Sequence, residues 1–250
     1  MTTALPAGAT RQWRRDWDPM MNDYMPGRDA CLTAGFDAVE QILGRPPSAV
    51  LDLGGGPGTT VEAVLGRWPH GRAVVLDADP VLLALARAGL PASASVLWAD
   101  LGTPAWRATA GGPYDVVLLV MTLHYLPEER ARELYAEIRT VLDPGGVLLM
   151  ADRVPTADGS PVPNGSTRRD GSGTPDPWSR WWSDIAGEPA LDEPLRQRSA
   201  TLTGVTSVEF VADLNWHRVA ALAAGFRTCR TVWRSDEHAL LAMHDDTPQR

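Results

Sequence analysis

The stretch Val50-Leu51-Asp52-Leu53-Gly54-Gly55-Gly56-Pro57-Gly58-Thr59-Thr60 places glycines between an apolar run and a helix-forming segment. Glycine there lets the main chain turn tightly and approach a ligand without Cβ clashes, while the next helix offers its N-terminal amides. A nucleotide-type cofactor suits such a loop. A dinucleotide fingerprint requires G-x-G-x-x-G, and counted from Gly54 and Gly56 its third glycine would fall on Thr59. The spacing is G-x-G-x-G instead, which disfavours an NAD(P)-dependent oxidoreductase.

Acids follow at the expected places. Asp77 closes the run RAVVLD, where a carboxylate could accept both ribose hydroxyls or merely satisfy nearby amides. Asp79, before Pro80, is better explained as a helix N-cap. Asp100 and Leu101 follow Trp98-Ala99 and make an acid and an apolar side chain available to an adenine amino group and ring. Asp52, inside its strand, is ambiguous, open to hydrogen-bonding the loop amides or to serving the cofactor. His124 follows the apolar run at 114–121, and its near-neutral pKa suits a general base taking a proton from an oxygen or nitrogen nucleophile; a packing histidine is the equal alternative.

The elements that must hold these residues alternate. Short apolar runs at 48–53, 72–77, 95–100, 114–121 and 146–152 are separated by helical patterns after Thr59, after Pro80 and over 127–142. Strands alternating with helices imply crossovers, hence five buried parallel strands. Residues 1–45 read as a helical cap broken at Met25-Pro26-Gly27, 46–153 as a cofactor-binding core, and 154–206 as a lid insertion. Within the insertion, 155–175 is too rich in Pro, Gly and Ser to pack and is expected to be mobile; the Trp-rich piece DPWSRWWSDI follows. Residues 207–245 form a C-terminal helix and a strand pair. The whole is one domain.

Composition removes other classes. All 23 basic residues are Arg, so a Schiff-base lysine and a P-loop lysine are both ruled out. The net charge of -8 argues against nucleic acid as a partner, because neutralising phosphates needs a basic face. No run approaches the roughly 18 apolar residues of a membrane span, and no apolar signal core opens the chain, so a cytoplasmic protein acting on a small molecule is expected. Two distant cysteines, Cys31 and Cys229, suggest neither a disulfide framework nor a zinc site, and no metal is expected.

With its acid-x-G-x-G-x-G loop, Asp77, Asp100, the run Tyr114-Asp115-Val116-Val117 through Leu123-His124-Tyr125, and the turn Asp143-Pro144-Gly145-Gly146, the chain resembles the class I S-adenosylmethionine-dependent methyltransferases over residues 45–152. The segments YMPGR, MADRV, DPWSRWW and AGFRTCRTVW look more loosely like bacterial trans-aconitate methyltransferases. The resemblance implies an α/β Rossmann-like sheet of seven strands in the order 3-2-1-4-5-7-6, the last antiparallel. It implies S-adenosyl-L-methionine as cofactor, with Gly54, Gly56 and Gly58 walling the methionine part. Asp77 and Ala78 would lie at the ribose, Asp100 and Leu101 at the adenine, with Asp52 and Val120 nearby. Tyr24 and Arg28 could hold the methionine carboxylate or be solvated cap residues. Tyr125, Trp178, Trp181 and Trp182 would face the acceptor, although Trp at helical spacing is also a core pattern. The implied function is methyl transfer to an O or N atom of a small molecule, in bacterial secondary metabolism. Alternatives are a non-methylating or non-catalytic S-adenosylmethionine-binding protein of the same fold. A monomer and a homodimer remain equally open.

Overall fold

In a computed structural model, residues 7–155, 176–202 and 208–245 are described. The expected mobile loop lies almost wholly outside them. The cap is two helices, α1 (Ala7–Tyr24) and α2 (Arg28–Leu43), separated at the Pro26-Gly27 break, where Gly27 takes a left-handed φ of 83°. There follow β1 (Ala49–Leu53), α3 (Thr59–Arg67), β2 (Arg72–Asp77), α4 (Pro80–Gly89), β3 (Ala94–Trp98), α5 (Trp106–Ala110) and β4 (Tyr114–Val120). A 3-10 turn at Leu123–Tyr125 leads into α6 (Glu128–Val141) and β5 (Leu142–Arg153). Beyond the undescribed segment come α7 (Pro177–Ile185), α8 (Asp192–Leu202), α9 (Leu214–Ala223), β6 (Thr228–Arg234) and β7 (His238–His244).

The strands form one sheet in the order β3-β2-β1-β4-β5-β7-β6. β1 to β5 run parallel and β7 pairs antiparallel with both β5 and β6, as expected. Every residue of β1 is buried, which fits a central strand covered on both faces. Alternate side chains feed two cores. Leu51, Leu53, Val117 and Leu148 pack with Trp106, Leu134 and Ala220 of α5, α6 and α9; Val50, Val116 and Leu149 pack with Phe36, Val61 and Leu83 of α2, α3 and α4.

Strand order reverses between β1 and β4, and the crevice at their carboxyl ends is where such folds bind ligands. A third cluster sits at the rim of this crevice. There Trp17 and Met20 of α1 meet Val81, Leu82 and Leu85 of α4 and Trp181 and Ile185 of α7. This cluster fixes the cap and the Trp-rich helix over the sheet. Three differences from the sequence expectation are local. α5 and α8 are short or weakly amphipathic and leave little periodic signal, and β5 begins at Leu142, earlier than the run at 146, because Leu142 pairs with Tyr114 ahead of a register shift.

Candidate active site

β1 ends directly in the glycine loop. Gly54, Gly56 and Gly58 all have left-handed φ angles, 69°, 54° and 79°. Gly54 and Gly56 line a cleft of about 1150 Å³, as does Gly55, and a Cβ on Gly54 would lie 2.5 Å from the Thr122 hydroxyl. Gly58 corrects the expectation for the methionine wall. It is not on the cleft; it caps α3, and a Cβ there would meet Leu90 at 2.7 Å. Its lack of a side chain serves packing of α3 on α4.

Asp77, at the end of β2, faces the cleft and also braces the loop. Its Oδ2 accepts the Gly56 amide at 2.8 Å and its Oδ1 accepts the Asp79 amide at 2.8 Å. A carboxylate has about four acceptor positions, so two amides leave room for further donors. Burial raises its pKa to about 6, with Asp79's charge adding and the amides opposing. Asp79 caps α4 through the Val81 amide, as expected.

Of the two readings for Asp52, the loop-amide bond is not formed among the described residues. Its carboxylate is buried and lines the cleft under Gly55, but its Oδ2 has no hydrogen-bond partner among the described residues. Burial drives its pKa up to about 7; Arg28 opposes this and Asp77 adds to it. An unpaired buried acceptor beside a bare glycine loop fits a cationic group entering the cleft.

Arg28 is buried, not a solvated cap residue. Its guanidinium bonds Thr60 Oγ1 at 2.9 Å and Thr59 Oγ1 at 3.2 Å, and pairs with Asp18 at 3.2 Å. Its charge therefore sits at the N-terminus of α3, where an anion is favoured. Tyr24 also lines the cleft, with its hydroxyl 2.8 Å from Asp176. Arg14, which no local pattern singles out, reaches from α1 to the carbonyl of Pro57 at 3.0 Å and to Glu62 at 2.7 Å, and so clamps the loop from outside.

On the other side of the loop, Ala78, Asp100, Leu101 and Val120 all line the cleft. Asp100 is exposed, with Oδ1 accepting the Gly102 amide at 2.7 Å, while the Leu101 carbonyl is held by the buried Arg130 at 2.7 Å. Trp98 adds a flat, half-exposed ring whose Nε1 bonds the Ala78 carbonyl.

Beyond Val120 the chain passes through Met121, whose φ of 52° is unusual for a side-chain-bearing residue, and turns His124 into the cleft. His124 Nδ1 lies 2.8 Å from Asp152 Oδ1, and its main-chain amide donates to Asp152 Oδ2 at 3.2 Å. Burial would raise the Asp152 carboxyl, yet His124 and the Arg153 amide hold it below the usual carboxylate range. Held this way, the ring has Nε2 on the side away from Asp152. Asp152 escaped the sequence reading, although an acid at the carboxyl end of a buried strand was a usable signal.

Tyr125, Trp178 and Trp182 line the cleft; Trp181 does not. Trp181 is 5% exposed and packs against Trp13 and Trp17, with its Nε1 3.3 Å from the Trp13 carbonyl. It is a core residue, as its helical spacing allowed. Arg153 and Arg198 complete the wall, paired with Glu209 at 2.5 Å and Asp79 at 2.6 Å. No group of three or more potential metal ligands occurs among the described residues.

Sheet order, glycine loop and the acids at the ends of β1 and β2 define the class I S-adenosylmethionine-dependent methyltransferase fold. Residues 50–146 match the family model for the methyltransferase domain. Among curated relatives, trans-aconitate 2-methyltransferase of Azoarcus sp. (strain BH72) is 31% identical over 132 residues, 53% of this chain and 49% of the relative. The Streptomyces avermitilis protein of the same name is 28% identical over 79% of this chain and 70% of its own length. The match thus spans about half of the first relative. Of solved structures, human N-acetylserotonin methyltransferase in complex with S-adenosylmethionine superposes with a TM-score of 0.59 at 16% identity, over 97% of this chain and 57% of that one. A structure described as a pericyclic reaction enzyme gives 0.52 at 18% identity, over 83% and 47%. Both likenesses are of fold.

Proposed function

We propose that this chain transfers the methyl group of S-adenosylmethionine to a protonated oxygen or nitrogen of a small molecule, with His124 as general base. The observation that carries this is the His124–Asp152 pair, with His124 on the wall of the cleft that the glycine loop also lines. Asp152 accepts from Nδ1 and fixes the ring, so Nε2 is oriented to take a proton from a nucleophile.

The cofactor would supply an activated methyl group on sulfur. Asp52, Arg28 and the bare loop at Gly54 to Gly56 fit its charged amino-acid end, and Asp77 its ribose. Ala78, Asp100 and Leu101 fit the adenine. The remaining work of the chain is to align the nucleophile and exclude water, which is worth about 7 to 11 kcal/mol in well-oriented systems. Trp178, Trp182 and Tyr125 form the acceptor side.

The cleft also bears on the acceptor. Its described wall carries seven carboxylates and three guanidiniums, and all three guanidiniums are already engaged by acids of the chain. Such a field disfavours a multiply charged anion. A carboxylate nucleophile, moreover, needs no base. An uncharged hydroxyl-bearing acceptor therefore fits better than the aconitate named for the relatives. We place the protein in the cytoplasm and its product in secondary metabolism.

The test is calorimetric titration with S-adenosylhomocysteine, followed by a homocysteine-release assay over a panel of hydroxyl and carboxylate acceptors. Binding by the wild type and about 10- to 100-fold loss in Asp77→Ala are expected, since hydrogen bonds to a charged group contribute about 1.5 to 3 kcal/mol. Absence of binding by the wild type would remove the cofactor assignment, and equal binding by the variant would remove Asp77 from the site.

A further inference from the structure

We propose that Arg198 is a positioning residue that ties the α7–α8 wall to the cofactor end of the cleft, so that cofactor binding and closure of this wall reinforce one another. This rests on S-adenosylmethionine occupying the loop side, as argued above.

The α8 helix buries none of its residues, and within it the half-buried Leu195 reaches the rim cluster. Little apolar burial therefore holds α8 in place, which puts it at the low-stability end of the fold. Its inner face nevertheless lines the cleft through Arg198, Ser199, Thr201 and Leu202. What places that face must include polar contact.

Arg198 supplies the contact twice over. Its Nε donates to Asp79 Oδ2 at 2.6 Å, and its guanidinium carbon lies 3.9 Å from the ring centroid of Trp182. The first partner is a buried carboxylate and the second an aromatic face, both stronger settings than an exposed ion pair. Asp79 in turn caps α4 and donates its amide to Asp77. One guanidinium thus joins an aromatic residue of the acceptor wall to the hydrogen-bonded neighbour of the ribose acid.

If the cofactor fixes Asp77, it fixes Asp79 and favours the docked Arg198; by reciprocity a docked α8 slows cofactor release. Because Arg198 remains 35% exposed on its side chain, salt weakens the tie.

The experiment compares wild type, R198Q and R198K by S-adenosylhomocysteine titration, by dissociation rate and by deuterium exchange over residues 177–202. In the wild type, saturating S-adenosylhomocysteine should slow exchange in 192–202. In R198Q that slowing should vanish and affinity fall about 5- to 50-fold, mainly through faster dissociation, with only a small fall in the melting temperature of the free protein. R198K, which keeps the charge and loses the planar stack, should fall between. Wild-type affinity and wild-type protection in R198Q would overturn the coupling alone. Failure of the wild type to bind S-adenosylhomocysteine would sink the methyltransferase assignment and the coupling together.

Discussion

His124 and Asp152 are joined twice, side chain to side chain at 2.8 Å and main-chain amide to carboxylate at 3.2 Å. The pairing links the turn after β4 to the end of β5, so the ring's orientation is set by two adjacent strands and not by a loop alone. His124→Gln should lower kcat by about 10²- to 10⁴-fold and leave S-adenosylhomocysteine affinity within about twofold. Asp152→Asn should lower kcat with little change in S-adenosylhomocysteine affinity, because the amide no longer holds the ring in the tautomer that leaves Nε2 free to accept a proton. Unchanged kcat in His124→Gln would return this residue to a packing role.

Asp52 makes a prediction about pH. Its folded pKa is near 7, from burial first, against an ordinary carboxyl near 3.8. Between these values the folded state binds more protons than the unfolded state, so stability contributed by this group is present below pH 4 and lost as pH rises through 7. Asp52→Asn should therefore melt higher than wild type at pH 8 in the absence of cofactor, and the two curves should converge toward pH 4. A gap independent of pH would show that Asp52 is not carrying the effect.

Two glycines of the loop should separate under substitution. Gly58→Ala combines a φ of 79° with a contact of 2.7 Å to Leu90, so it should destabilise the fold by at least about 1 to 2 kcal/mol. Gly56→Ala finds its nearest neighbour, Trp17, at 3.4 Å and faces the cleft; its larger effect should be on cofactor affinity. Thermal melts and titrations on both variants check this, and equal losses of affinity at equal stability would contradict it.

The adjacent tryptophans Trp181 and Trp182 give a similar contrast. Trp181→Ala should cost about 3 to 5 kcal/mol of stability, as core aromatic truncations do. Trp182→Ala should raise the acceptor KM while changing the melting temperature less. A stability loss in Trp182→Ala as large as in Trp181→Ala would remove Trp182 from the acceptor wall.

Much of this molecule is written locally. Buried strands such as 49–53, the turn chemistry at Gly54 to Gly58 and the Asp79-Pro80 cap depend on residues within a few positions of one another, and the sequence determined them together with the acid closing β2. Strand order followed from resemblance and not from periodicity, since a buried parallel strand looks alike in any position of a sheet. Contacts across the fold had no local trace. Asp152 meets His124 over 28 positions, Arg14 reaches the loop over 43, and Arg198 finds Asp79 over 119. The helical period placed Trp181 and Trp182 at neighbouring angles on α7, but which of them met the core was decided by where α1 lay. Likewise Gly58 and Gly56 carry the same backbone demand, and only the packing of α4 against α3 assigned one to the interior and the other to the cleft. Local conformation is set by short-range sterics and hydrogen bonding; the neighbours of a side chain are set by how the elements pack.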